Sequence, residues 1–175
     1  YQMLGESIED PGGEEEGGSL HGMGLLPVRT VFEKEKVQTR VTGEILQNPG
    51  AGDGLFAALC GSVFSGYEIH MGTTKFTKEA NHPFMITKRA DKDVQVAEGM
   101  INQEQNVMGA YIHGIFDNDK YRRSLINILR KRKGLEALPV STNYAAAKQA
   151  AFNRLADTVR QNMNMEKLRE ILQDA

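Results

Sequence analysis

The chain has 175 residues, and its 21 Lys and Arg against 23 Asp and Glu give a formal net charge of -2. That balance excludes the broad basic field that holds nucleic acid or an anionic membrane, and no apolar run approaches the roughly 20 residues of a membrane-spanning helix. Hydrophobic residues make up 40% of the chain, enough for one sizeable core. The single cysteine, Cys60, excludes an internal disulfide and a multi-cysteine metal site. No signal peptide is visible, so a cytoplasmic setting is expected. Tyr1-Gln2-Met3-Leu4-Gly5 reads as the inside of a structured element, with further sequence expected before it in a parent protein.

Residues 9–24 carry a dense Gly and Glu run whose like charges repel, and an exposed loop is expected there. Gly22 to Val28 turns apolar and reads as a short buried segment. From Val31 to Leu46, Val37, Thr39, Val41, Gly43 and Ile45 recur at a spacing of two, the period of a strand. Asn48 to Gly54 reads as a loop. It is unlike a phosphate-cradling loop in lacking the Lys-Ser/Thr ending. Strands are predicted over Val63–Met71 and Phe84–Lys88, and a third over Asn106–His113. Asn118 or Asp117 caps a predicted helix from Asp119, with Tyr121, Leu125, Ile128 and Leu129 on one face. The run Arg130-Lys131-Arg132-Lys133 complements the helix dipole at its end, and Gly134 suits the stop. A second helix is predicted over Tyr144–Met163 with Phe152, Leu155, Val159 and Met163 facing inward. Another turn or two follows around Leu168, Ile171 and Leu172. Strands first and helices last fit α/β or α+β, and periodicity does not choose between them.

Four histidines are candidates for chemistry. His21 and His82 lie in loop-like contexts and read as surface residues, and His70 is left open. His113 ends an apolar strand just before Gly114, a place suited to a general base, although a capping or core-edge histidine fits equally. Cys60 has nothing basic or helix-initiating beside it and reads as a buried structural thiol. No ligand spacing points to a metal.

Several ordered blocks carry a resemblance. Tyr1 to Gly5, Ile8-Glu9-Asp10-Pro11, Gly24 to Thr30, Gly66 to Thr73 and Gly109 to Asp119 together resemble the glutamine amidotransferase domains of the cobyric acid synthase type. The likeness runs from residue 1 to about residue 160. It implies a class I glutamine amidotransferase-like (flavodoxin-like) α/β fold, with a mixed, mostly parallel sheet flanked by helices. Residues 1–175 would be the C-terminal portion of one such domain. It also implies glutamine as substrate and ammonia delivered to corrinoid carboxylates. No cofactor is expected in this domain. ATP and Mg are expected on a separate synthetase domain, where the corrinoid acceptor would also be met.

In such domains the nucleophile lies in a turn reading G-x-C-x-G-x-Q. Tyr1 and Gln2 match its last two positions, so the cysteine is expected three residues before Tyr1 and is absent from this chain. A thiolate there gains from free N–H groups at a helix N-terminus. The resemblance makes Gln2 a substrate-binding residue and His113 the base that deprotonates the thiol and protonates departing ammonia. Many class I members carry a Glu two residues after that histidine; Ile115 stands here, and Asp117 is the candidate replacement. The 175 residues alone are expected to be inactive, and a sheet lacking its first strands is expected to expose edges. The alternatives are a cobyrinic acid a,c-diamide synthase, a lipid II amidotransferase subunit, or a degenerate amidotransferase module kept for binding.

Overall fold

The computed structural model describes residues 1–47 and 59–173. The loop expected over Asn48–Gly54 lies outside the described residues. The chain divides into two compact units, Tyr1–Val140 and Ser141–Ala175.

The first unit holds nine described strands: β1 (Ser7–Asp10), β2 (Gly18–His21), β3 (Val28–Ile45), β4 (Val63–Phe76), β5 (Phe84–Arg89), β6 (Lys92–Glu98), β7 (Met100–Ile101), β8 (Met108–Gly109) and β9 (Ile112–His113). Seven form one sheet ordered β2-β1-β3-β4-β9, with β5 joined to β3 and β6 to β5; β7 and β8 pair separately. The α/β class and the mixed sheet stand. The expected balance of directions is corrected among the described strands: only β1 and β3 run parallel, and the other pairs are antiparallel. Parallel neighbours need a crossover of a dozen or more residues. Between β5 and β6 only Ala90 and Asp91 intervene, with φ of 47° and 65°, a turn of the primed kind whose twist suits a hairpin.

Strand β3 organises the sheet. Its start, Arg29–Val31, pairs with β1, its end, Val41–Ile45, pairs with β5, and its other edge pairs with β4, with one register slip between Val31 and Lys36. The period of two survives: Val41, Gly43 and Ile45 are buried and the residues between them are more exposed. Phe64 and Phe84 meet edge to face with centroids 5.4 Å apart in the core beneath. Each such ring stabilises the fold by roughly 1.5–3 kcal/mol on burial.

The short strands required tertiary pairing to appear. The expected strand Asn106–His113 is two strands with different partners, β8 on β7 and β9 on β4. The Gly and Glu run becomes a hairpin connection between β1 and β2. Asp10 organises it, accepting from the amides of Glu14, Glu15 and Gly17, each at 2.9 Å.

Helix α1 (Asp119–Arg132) follows a short 3-10 turn, Ile115–Asp117. Asn118 is the cap: its Oδ1 accepts from Tyr121 N at 3.0 Å. Tyr121 is buried in the core, with Leu125 and Ile128 packed beside it, whereas Leu129 is exposed. Burial pushes the Tyr121 hydroxyl up to about 12.

The second unit is α2 (Tyr144–Asn162) and α3 (Met165–Gln173). Phe152, Leu155, Val159 and Met163, expected inward, are exposed. Two helices have too little area to bury a full apolar stripe within their own unit.

Replacing Asn118 by Ala removes the cap and should lower stability by about 1 kcal/mol, read as a lower urea midpoint at unchanged slope. The amide of Glu15, with those of Glu14 and Gly17, holds the Asp10 carboxyl below its usual range. A depressed folded-state pKa contributes stability above the unfolded value of about 4, and that stability is lost as pH falls through the lower folded value. The stability gap between wild type and Asp10→Asn should therefore shrink from about pH 6 to about pH 3. A gap independent of pH would contradict this assignment.

Candidate active site

The site residues gather along one edge of β4. Strand β9 pairs there, Tyr67 with His113 and Glu68 with Ile112. Next along the same edge, Ile69 N donates to Tyr111 O at 3.2 Å. Alternate residues of a strand turn their backbone groups to one edge, so the Met71 carbonyl comes next. Gln2 takes it: its Nε2 donates to Met71 O at 3.1 Å. Gln2 thus continues the ladder where β9 stops, and Tyr67 and Met71 lie about 13 Å apart along the strand.

Local sequence explains both placements. Gln2 sits in a 3-10 turn, Gln2–Leu4, closed by Leu4 N to Tyr1 O and Gly5 N to Gln2 O, each at 3.0 Å. Tyr1 packs with Leu26, Val28 and Met100 in a second core cluster. Its ring meets that of Tyr111 edge to face at 5.0 Å, and burial raises its hydroxyl. His113 is exposed, and its backbone lies tight against Gly66, where an added Cβ would stand 2.4 Å from His113 O. Only glycine lets β9 approach so closely. Asp117 is exposed in the turn after Gly114 and shares no hydrogen bond or ion pair with His113.

The structure also gathers groups that sequence reasoning left aside. Glu68 is 3% exposed, and Arg89 Nη2 donates to its Oε1 at 2.8 Å. Arg89 Nε lies 2.8 Å from Oε2, an ionic contact without hydrogen-bond alignment. His70 faces both Glu68 Oε1, at 3.3 Å, and the Gly72 carbonyl, at 2.9 Å. Its ring stacks on Tyr111 at 4.3 Å. The Tyr111 hydroxyl bonds Thr74, which bonds Thr30 at 3.0 Å. Tyr111 N donates to Glu98 at 2.8 Å, while burial holds that carboxyl above its ordinary range. The signal for this cluster was the pair Glu68 and His70, two apart on a strand and so on one face.

Two histidine and cysteine expectations are corrected. His82 is half-buried, with Nδ1 donating to Gly99 O at 2.8 Å and its ring edge-on to Phe76, because the loop carrying it folds onto the sheet; His21 is exposed as expected. Cys60 is exposed, not buried, since its neighbour Leu59 takes the core position in the turn. No group of three or more His, Cys, Asp or Glu converges as a metal site among the described residues. No described helix is long and apolar enough to cross a membrane.

Residues 1–121 match the model of the CobB/CobQ-like glutamine amidotransferase domain. The chain is similar to the cobyric acid synthase of Thermoanaerobacter sp. (strain X514), 38% identical over 174 residues, which is 99% of this chain and 34% of that protein. It is 40% identical over 173 residues to that of Clostridium botulinum (strain Loch Maree / Type A3), 98% of this chain and 33% of the relative. With that of Dehalococcoides mccartyi (strain CBDB1) it shares 39% over 175 residues, again 33% of the relative. The chain thus spans about a third of the length of the curated relatives it matches.

Substituting Ala for Gly66 should force β9 off β4 and cost about 1–3 kcal/mol. Amide exchange at Ile112 and His113 should accelerate, while exchange in β5 and β6 should not. Unchanged protection at β9 would show that the close approach is dispensable.

Proposed function

Because the chain belongs to the CobB/CobQ-like glutamine amidotransferase family, we propose that it is the ammonia-producing part of a cobyric acid synthase. In this reading ammonia freed from glutamine amidates the carboxylates of adenosylcobyrinic acid a,c-diamide, in steps driven by ATP on a separate synthetase domain, during cobalamin synthesis. The observation that carries the reading is that Gln2 and the His113 strand lie along one edge of β4, with only the Tyr111 carbonyl between them.

The chemistry proposed for these residues is that of the family's cysteine and histidine. A cysteine thiolate attacks the side-chain carbonyl carbon of glutamine, the C–N bond breaks, and a thioester forms. His113 accepts the thiol proton and passes it to the departing nitrogen, which leaves as ammonia. Water then cleaves the thioester to give glutamate and restores the thiol. Gln2, anchored through one amide hydrogen, keeps its Oε1 and second amide hydrogen for substrate glutamine. The exposure of His113 suits a group that must meet a thiol and a substrate. The family motif puts that thiol three residues ahead of Tyr1, and Cys60 lies in none of the matching blocks. ATP and magnesium belong to the synthetase reaction, and no step assigned to Gln2 or His113 passes through them.

His113→Ala in the full-length protein should lower glutamine-dependent amidation by at least about a hundredfold, while added ammonium salt restores product. Loss of both activities would mean that His113 acts structurally, and full glutamine use by the variant would remove it from the reaction.

A further inference from the structure

His70 lies one residue before the carbonyl that Gln2 engages and is tied down on three sides. Its Nδ1 donates to Gly72 O at 2.9 Å, its Nε2 faces buried Glu68 at 3.3 Å, and its ring lies on Tyr111 with planes 26° apart. Glu68 is itself fixed by Arg89 from β5. The Met71–Gly72 segment that His70 brackets is a bend. The β3–β4 register slips there, Lys36 pairing with Met71 and Val31 with Thr73, and Gly72 has φ of 92°.

Two consequences meet at the first residues of the chain. The bend sets where the Met71 carbonyl points, and so where the Gln2 amide is held, at 3.1 Å. The Tyr111 ring, sandwiched against His70 at 4.3 Å, presents itself to Tyr1 at 5.0 Å. A buried ion pair is a poor stabiliser in itself, because desolvation offsets its Coulomb gain. What Glu68 and Arg89 provide is a fixed ring orientation for His70, because the Arg89-held carboxylate faces its Nε2.

We infer that His70 is a positioning residue of the glutamine site. It locks the Met71–Gly72 bend and, through Met71 O and the Tyr111 ring, fixes Gln2 and Tyr1 in the orientation that receives substrate. This rests on the reading of Gln2 as a substrate-binding residue. His70 makes and breaks no bond in the reaction.

The test uses the full-length protein with His70→Ala and His70→Asn, the latter keeping an N–H close to where Nδ1 meets Gly72 O. The Ala variant should raise KM for glutamine about tenfold or more, the usual scale for a lost orienting partner, with kcat within about threefold of wild type. Ammonia-supported amidation should match wild type, while the melting temperature of the Ala variant should fall by only about 2–8 °C, the shift that follows from losing one partner of buried Glu68. His70→Asn should recover most of the lost KM. An unchanged KM in the Ala variant would overturn the inference. So would loss of ammonia-supported activity together with melting temperature, or an Asn variant as impaired as Ala. Failure of the wild-type protein itself to use glutamine would instead overturn the amidotransferase reading, and this inference with it.

Discussion

Strand β3 is engaged along both edges, and the seven-stranded sheet of the first unit is ordered around it. One edge is shared between β1 and β5, and the other is given over to β4. Because the strand holds 18 residues, it outruns β1 and β5 on the edge they share and joins the N-terminal hairpin to the β5–β6 hairpin in one sheet. Beneath the β5 end lies the core of Val41, Ile45, Phe64 and Phe84, closed by Tyr121 of α1. At the other end Val28 joins Leu26 and Met100 in the cluster against which Tyr1 packs. Antiparallel β4 inherits its register from β3, and with it the free edge on which the candidate active site is assembled.

That edge is extended by unlike means. β9 supplies backbone, Tyr111 a carbonyl, and Gln2 a side-chain amide, each filling the next place along β4. Buried strand-edge groups must be paired, so the ladder that completes the sheet also fixes Gln2. The inward face of the same strand carries Glu68 and His70, where a sheet would ordinarily place apolar residues. Their partners arrive from β5 and from the turn before β9. A charge buried there is tolerated only with partners on every side, which makes the cluster rigid and lets it hold a bend.

Much of this was legible in the residues. The period of two in β3 placed Val41, Gly43 and Ile45 inward, and the capping chemistry of Asn118 and the basic last turn bounded α1 within a residue. The ordered blocks beginning at Tyr1 identified the family, since several motifs in series constrain far more than one. Strand β6 and the two-residue strands were not legible, because so few residues carry no period and their existence depends on a neighbour. The splitting of Asn106–His113 between β7 and β4 is of this kind. The α2 stripe failed for the converse reason: Phe152, Leu155 and Val159 show a helical period, but a period says which residues share a face and not whether that face is covered.

By itself the sequence determined local matters: which segments extend, where a helix is capped, that Gln2 and His113 fall at motif positions, and that the only thiol among these residues is Cys60. These depend on backbone preference and on side chains a few positions apart. Only the tertiary structure decided that the described strands pair chiefly antiparallel, that Cys60 faces solvent, and that Gln2 reaches Met71 across 69 positions of chain. It likewise decided that Glu68, His70, Arg89 and Tyr111 form one cluster. Contacts of that separation are set by sheet register and by the need to pair buried polar groups. Both are properties of the whole packed sheet, and no single segment encodes them.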